Sequence, residues 1–199
     1  MKSISSLVDA VLKRHSFDFS NIRDDITSNL EFRLFFNIDF SKTFKEAKKE
    51  FQRSYFNDVL TLSLGNITLA AKKSNLNRRH LHRIINDLEL DPEVHKREMI
   101  KPIQYMKNNV YQILEDTVSK LPEKNMREAY SQLEDISAVI AKNLQNYSYD
   151  EALELFEREF ILYKLKEFNF DLKKTAKSMD MSERNLYRKL SKLNIQNTE

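Results

Sequence analysis

Residues 44–90 align with residues 149–195 without a gap at a constant offset of 105 positions, and no other feature constrains the fold of this 199-residue chain as tightly. A repeat of this kind is one supersecondary unit used twice. Identical pairs are Glu46/Glu151, Ala47/Ala152, Phe51/Phe156, Arg53/Arg158, Leu60/Leu165, Ala71/Ala176, Lys72/Lys177, Arg79/Arg184, Leu81/Leu186, Arg83/Arg188 and Leu88/Leu193. Tyr55/Phe160, Ile67/Leu172, Leu76/Met181, Ile85/Leu190 and Leu90/Ile195 are conservative.

Within each copy the spacing predicts three helices. The first is long (Phe44 to Ser63; Tyr149 to Phe168), the second short (Ile67 to Lys73; Leu172 to Ser178), and the third runs from Asn77 to Glu89 or from Ser182 to Asn194. Gly65 can take the left-handed conformation that closes the first helix, Asn66 can cap the second and Asn77 the third. Asn169, Asp171 and Ser182 supply the same chemistry in the second copy.

The rest of the chain agrees with an all-α fold, because one Gly and three Pro leave few tight-turn residues for sheets and hairpins. Between the copies, Met99, Ile103, Met106, Val110 and Ile113, then Ala129, Leu133, Ile136, Ile140 and Leu144, recur at helical spacing on either side of Pro122. They read as a central antiparallel hairpin (91–148) whose seam can pack internally or join two chains as a homodimer. The N-terminal segment (1–43) starts with an amphipathic helix carrying Ile4, Leu7, Val8, Val11 and Leu12. An aromatic-rich stretch with Phe17, Phe19, Phe32, Phe35, Phe36 and Phe40 follows, expected to be helix or packed loop rather than a lone strand, and open to a second chain as well.

A helix-turn-helix needs a small residue in its short helix, a tight turn, and a third helix with one apolar and one polar face. Ala70, Ala71 and Ala176 meet the first requirement. Leu76 and Met181 are the expected buried plugs of the turns. Leu81, Ile84, Ile85 and Leu88, and then Leu186, Leu190 and Leu193, form the apolar stripes. The first copy then turns outward Asn77, Arg78, Arg79, His80, His82 and Arg83, with no acid among them, and Lys72 and Lys73 stand nearby. Arg suits guanine, Asn suits adenine, and the lysines suit phosphates. The second copy offers Ser182, Glu183, Arg184, Asn185, Tyr187, Arg188 and Lys189, flanked by Lys173, Lys174, Lys177 and Lys192. Glu183 stands where the first copy has Arg78, so it repels phosphate or selects cytosine.

The segments GNITLAAKKSNLNRRHLHRIINDLEL and FDLKKTAKSMDMSERNLYRKLSKLNI resemble the C-terminal helices of the Fis nucleoid protein and of NtrC-type activators. The pattern matched is N-x-T-x-A-A before the turn and R-x-x-L-x-[RK]-x-[LI] in the third helix, complete in the first segment. The resemblance covers about half the chain, in two pieces, and implies contact with double-stranded DNA. Its contact positions fall on Asn77, Arg78, His80, His82 and Arg83, and on Ser182, Asn185, Tyr187 and Arg188. Thr68 falls on a position that reaches the DNA backbone.

The resemblance stops short of ATP chemistry, since a chain with one Gly cannot contain the phosphate-binding G-x-x-x-x-G-K-[ST] loop of NtrC-type activators. No Ser/His/Asp set or carboxylate pair suggests an enzyme, and no cofactor is expected. His80 and His82 splay on a helix rather than converge on a metal. His15 and His95 read as surface residues, and the mixed charges from Lys45 to Glu50 as a solvated face. Without Cys or a run of about 18 apolar residues, the expectation is a reduced, cytoplasmic, nucleoid-associated protein away from membranes. The expected function is a bacterial transcription regulator that bends or bridges DNA with two units, with RNA polymerase or another regulator as a further partner. The alternative is an adaptor that uses the same scaffold to hold a protein.

Overall fold

A computed structural model describes residues 4–14, 18–33, 38–97, 101–143 and 147–195. All regular elements among them are helices: α1 (Ile4–Leu12), a 3-10 turn (Ser20–Ile22), α2 (Arg23–Arg33), α3 (Phe44–Thr61), α4 (Ile67–Lys73), α5 (Arg78–Asp87), α6 (Pro92–Arg97), α7 (Pro102–Val118), α8 (Glu123–Asn143), α9 (Tyr149–Glu167), α10 (Leu172–Ser178) and α11 (Glu183–Lys192). The protein is all-α. No helix among the described residues is long and apolar enough to cross a membrane.

The chain divides into two compact units. One gathers α1, the 3-10 turn, α2, the corner Leu60–Ala70, α6, α7 and α8. The α7–α8 hairpin is its centre, and Val110, Leu114, Val118, Leu133, Ile136 and Ile140 are fully buried along its seam. Helices α1 and α2 pack against that seam, burying Val8, Ile26 and Leu30 completely, so the seam closes within one chain. Ile103 does not join it and stays 56% exposed, while Met99 and Leu144 lie outside the described residues. The Asn29 amide donates to Thr117 Oγ1 at 3.1 Å, which satisfies a buried hydroxyl. In the aromatic-rich stretch Phe19 is buried and Leu30–Arg33 continue α2 as helix, whereas Phe17, Phe35, Phe36 and His15 lie outside the described residues.

Helix α6, which six residues of sequence pattern did not announce, corrects the surface reading of His95. The ring is buried, with its Nδ1 3.0 Å from Thr61 Oγ1 at the end of α3. Gly65 turns this corner with φ +69°, and a Cβ there would stand 2.2 Å from the Pro92 carbonyl oxygen. We predict that Gly65→Ala costs about 2–4 kcal/mol, from left-handed strain plus a clash with rigid backbone. A denaturant midpoint measures it, and an unchanged midpoint contradicts this account of the corner.

The second unit gathers α3 as far as Val59, the segment Ala71–Leu90, and α9 to α11. Backbone irregularities along the chain recur at the offset of 105. Positive φ occurs at Leu64 (49°) and Asn169 (49°), Gly65 (69°) and Phe170 (60°), Asn75 (55°) and Asp180 (53°), and Glu89 (54°) and Asn194 (51°). Each marks a helix end closed by a six-to-one hydrogen bond, as from the Leu76 N–H to Ala71 O (2.9 Å) and from the Met181 N–H to Ala176 O (3.0 Å).

Helices α3 and α9 both start in a capping box. The Thr43 N–H donates to Glu46 Oε2 (3.1 Å), and the Ser148 N–H to Glu151 Oε2 (2.9 Å). Hydrogen bonds from Thr43 and from Ser148 hold these carboxyls below their ordinary value of 4.5. A depressed carboxyl contributes stability above its unfolded value and loses it as pH falls through the folded one. Stability should therefore decline as pH drops below 4.5, and Glu46→Gln with Glu151→Gln should flatten that decline. Thermal melts across this range measure the effect.

Candidate nucleic-acid interface

Helices α5 and α11 are each built by a cap, an apolar stripe and an exposed basic face. Asn77 Oδ1 accepts the His80 N–H at 2.7 Å, and Ser182 Oγ accepts the Asn185 N–H at 3.3 Å, so both side chains close a helix start. Leu81, Ile85 and Leu88 are buried beneath α5, and Leu186, Leu190 and Leu193 beneath α11. Ile84, expected in the first stripe, is only half-buried. The turns differ from expectation too: Leu76 and Met181 are half-buried, and the buried residues are Ser74 and Met179. Left-handed Asn75 and Asp180 reverse the chain between each such pair, which exchanges the residue that faces inward.

The outward faces carry most of the expected side chains. Asn77, Arg78, Arg79, His82 and Arg83 are exposed on the first, with His80 half-buried. Ser182, Glu183, Arg184, Asn185, Tyr187 and Arg188 are exposed on the second. Among the described residues none of these five arginines is in an ion pair, so their charge is available to an anionic partner. Lys72, Lys173, Lys174 and Lys177 are exposed as well, Lys73 is half-buried, and Lys174 leans on Asp171 at 3.2 Å. Thr68 is exposed on the part of α4 assigned to the other unit, with its N–H on Asn66 Oδ1 at 3.0 Å. Glu183 stands in the first turn of α11, where a carboxylate favours the helix whatever else it does.

Lys189 departs from this pattern. It is turned inward, 2.8 Å from buried Glu157, with its ammonium 4.4 Å from the centre of the Phe44 ring. Lys48 reaches the other oxygen of Glu157 at 3.3 Å, so part of the stretch expected to be solvated holds a buried acid. The first copy has no counterpart: the equivalent positions are Gln52, Ile84 and Leu153. We predict that Glu157→Ala costs about 1–3 kcal/mol, since it strands two partly buried ammoniums, and that Glu157→Gln costs less. Chemical denaturation at neutral pH compares the two, and equal losses reject the ionic role.

Contacts within this unit come in reciprocal pairs. The Phe44 N–H donates to Met179 O (3.3 Å) and the Tyr149 N–H to Ser74 O (3.0 Å), so the start of each long helix rests on the turn of the opposite copy. Phe44 meets Phe160, and Tyr149 meets Tyr55, both at 5.7 Å between ring centres. Phe51 and Phe156, which occupy the same place in the repeat, stack on each other at 4.7 Å and 11°. Arg53 donates to Leu88 O at 2.6 Å and Arg158 to Leu193 O at 2.8 Å, tying each long helix to the end of its own third helix.

Residues 152–193 match the family model described as bacterial regulatory protein, Fis family. No curated protein and no solved structure matches the chain. The matched residues run from α9 through α11 and include the face that carries Glu183. That segment is a Fis-type helix-turn-helix, which points to a DNA-binding regulator.

Proposed function

We propose that the chain is a bacterial regulator of double-stranded DNA in which a second Fis-type unit, at residues 44–90, pairs with the one at 149–195 as a covalent pseudo-dimer. The reciprocal contacts around Phe51 and Phe156 carry this reading. In a two-fold dimer, residue i of one partner meets j of the other while j meets i, and a residue on the axis meets its own equivalent. A chain that pairs its own repeats in this way needs no second chain to present two reading helices. Light scattering should give one monomer of 23.7 kDa.

Each third helix enters a major groove, with Arg78, Arg79 and Arg83 in one copy and Arg184, Asn185, Tyr187 and Arg188 in the other toward the bases. Lys72, Lys73, Lys173, Lys174 and Lys177 take phosphates. Asn77 and Ser182 serve first as caps, and Lys189 supports α11 from within. If the two helices stand closer than one turn of duplex, roughly 34 Å, the DNA bends to meet both. The test is binding to mixed duplexes across salt concentrations. Five neutralised phosphates give a log-log slope of about −4.5. A flat salt response, or no binding, rejects the proposal.

A further inference from the structure

We infer that the DNA bound by this chain is a non-palindromic pair of inverted half-sites, taken up in one orientation only. The inference rests on the DNA-binding reading above and adds the symmetry of the target. Helix ends, closing hydrogen bonds and reciprocal contacts match between the copies, so the backbone presents α5 and α11 as near equivalents. A symmetric protein reads a symmetric operator. Here the helix ends and closing hydrogen bonds repeat and the reading faces do not.

The difference is ordered. At about 100° per residue, a stripe buried through Leu81, Ile85 and Leu88 sets Arg79 and Arg83 in the middle of the opposite face. Arg184 and Arg188 stand at the same places on α11, and these two positions are identical in the repeat. The flanks diverge at all four remaining positions: Asn77 against Ser182, Arg78 against Glu183, His80 against Asn185, and His82 against Tyr187. The chemistry of the flanks is opposed. Arg78 suits guanine or phosphate, whereas Glu183 repels phosphate and accepts from the amino group of cytosine. Tyr187, 56% exposed, offers a broad apolar ring to a thymine methyl where His82 offers a small polar one.

Each half-site therefore shares the base pairs read at the face centre and differs at those read from the flanks. A homodimer, whose two faces are identical, has no such direction. A single chain does: its N-terminal copy lies toward one end of the site, and any surface of the chain that meets another protein always faces the same way along the DNA.

The test is selection from random duplexes with the full-length protein, compared with a symmetrised variant carrying Ser182→Asn, Glu183→Arg, Asn185→His and Tyr187→His. Asparagine is itself a good N-cap, so α11 keeps its start. The native chain should enrich two unlike inverted half-sites, and replacing one by a copy of the other should weaken binding about tenfold or more. The variant should enrich a palindrome of the half-site read by α5. Should the variant fail to fold, the native motif alone decides. A palindrome, a single half-site or no motif from native protein that does retain DNA overturns the inference. Failure to retain any duplex instead rejects the DNA-binding reading, and this inference with it.

Discussion

Phe51→Ala and Phe156→Ala should each destabilise the protein by about 3–5 kcal/mol, and the double variant by less than the sum. Both rings are buried, 3% and 0% exposed, and each is the other's stacking partner. A second truncation then enlarges a cavity already opened instead of creating a new one. A domain stable by 5–15 kcal/mol can lose most of its margin to one such change. Because this stack sits where the two copies meet, its loss should release α5 and α11 from their common frame. DNA affinity should therefore fall before helicity does, since the α1–α2–α7–α8 core is untouched. Circular dichroism and duplex binding measured at the same denaturant concentrations separate the two effects. Loss of helicity in step with affinity, from the first addition of denaturant, contradicts this view of the interface.

Replacing Arg79, Arg83, Arg184 and Arg188 by alanine should abolish DNA binding while leaving the fold intact. All four are exposed and none is in an ion pair among the described residues, so their removal costs little stability. At about 1–3 kcal/mol for each direct contact, the four together predict a loss of at least about a thousandfold. The halves should also be coupled. Once one helix is seated, the other binds from a high effective concentration, so losing either pair alone costs more than an isolated helix would supply. Arg79→Ala with Arg83→Ala, set beside Arg184→Ala with Arg188→Ala, measures how the two copies share the work. A quadruple variant that still binds within tenfold of native would remove the reading faces from the account.

The short helices were legible because their caps are chemical and local. Asn66, Asn77, Asp171 and Ser182 stand before α4, α5, α10 and α11 and accept the N–H bonds expected of them. The repeat aligned Phe51 with Phe156 as equivalent positions, but spacing alone could not say that these residues touch. What sequence did not reveal depends on neighbours distant along the chain. His95 is buried because α6 folds over the end of α3, and a six-residue helix is too short to show a period. Lys189 lies at the edge of the α11 face, where helical spacing leaves it free to turn either way. Buried Glu157, 32 residues earlier, draws it inward. The exchange of Leu76 and Met181 for Ser74 and Met179 follows from left-handed turn residues, which a hydrophobic pattern does not encode.

The most direct test of the central claim is a hydroxyl-radical footprint on a selected duplex, with the stoichiometry of the same complex read by native mass spectrometry. The pseudo-dimer predicts one chain per duplex, with two protected windows on one face about one helical turn apart. Two chains per duplex, or one chain protecting a single window, would contradict it.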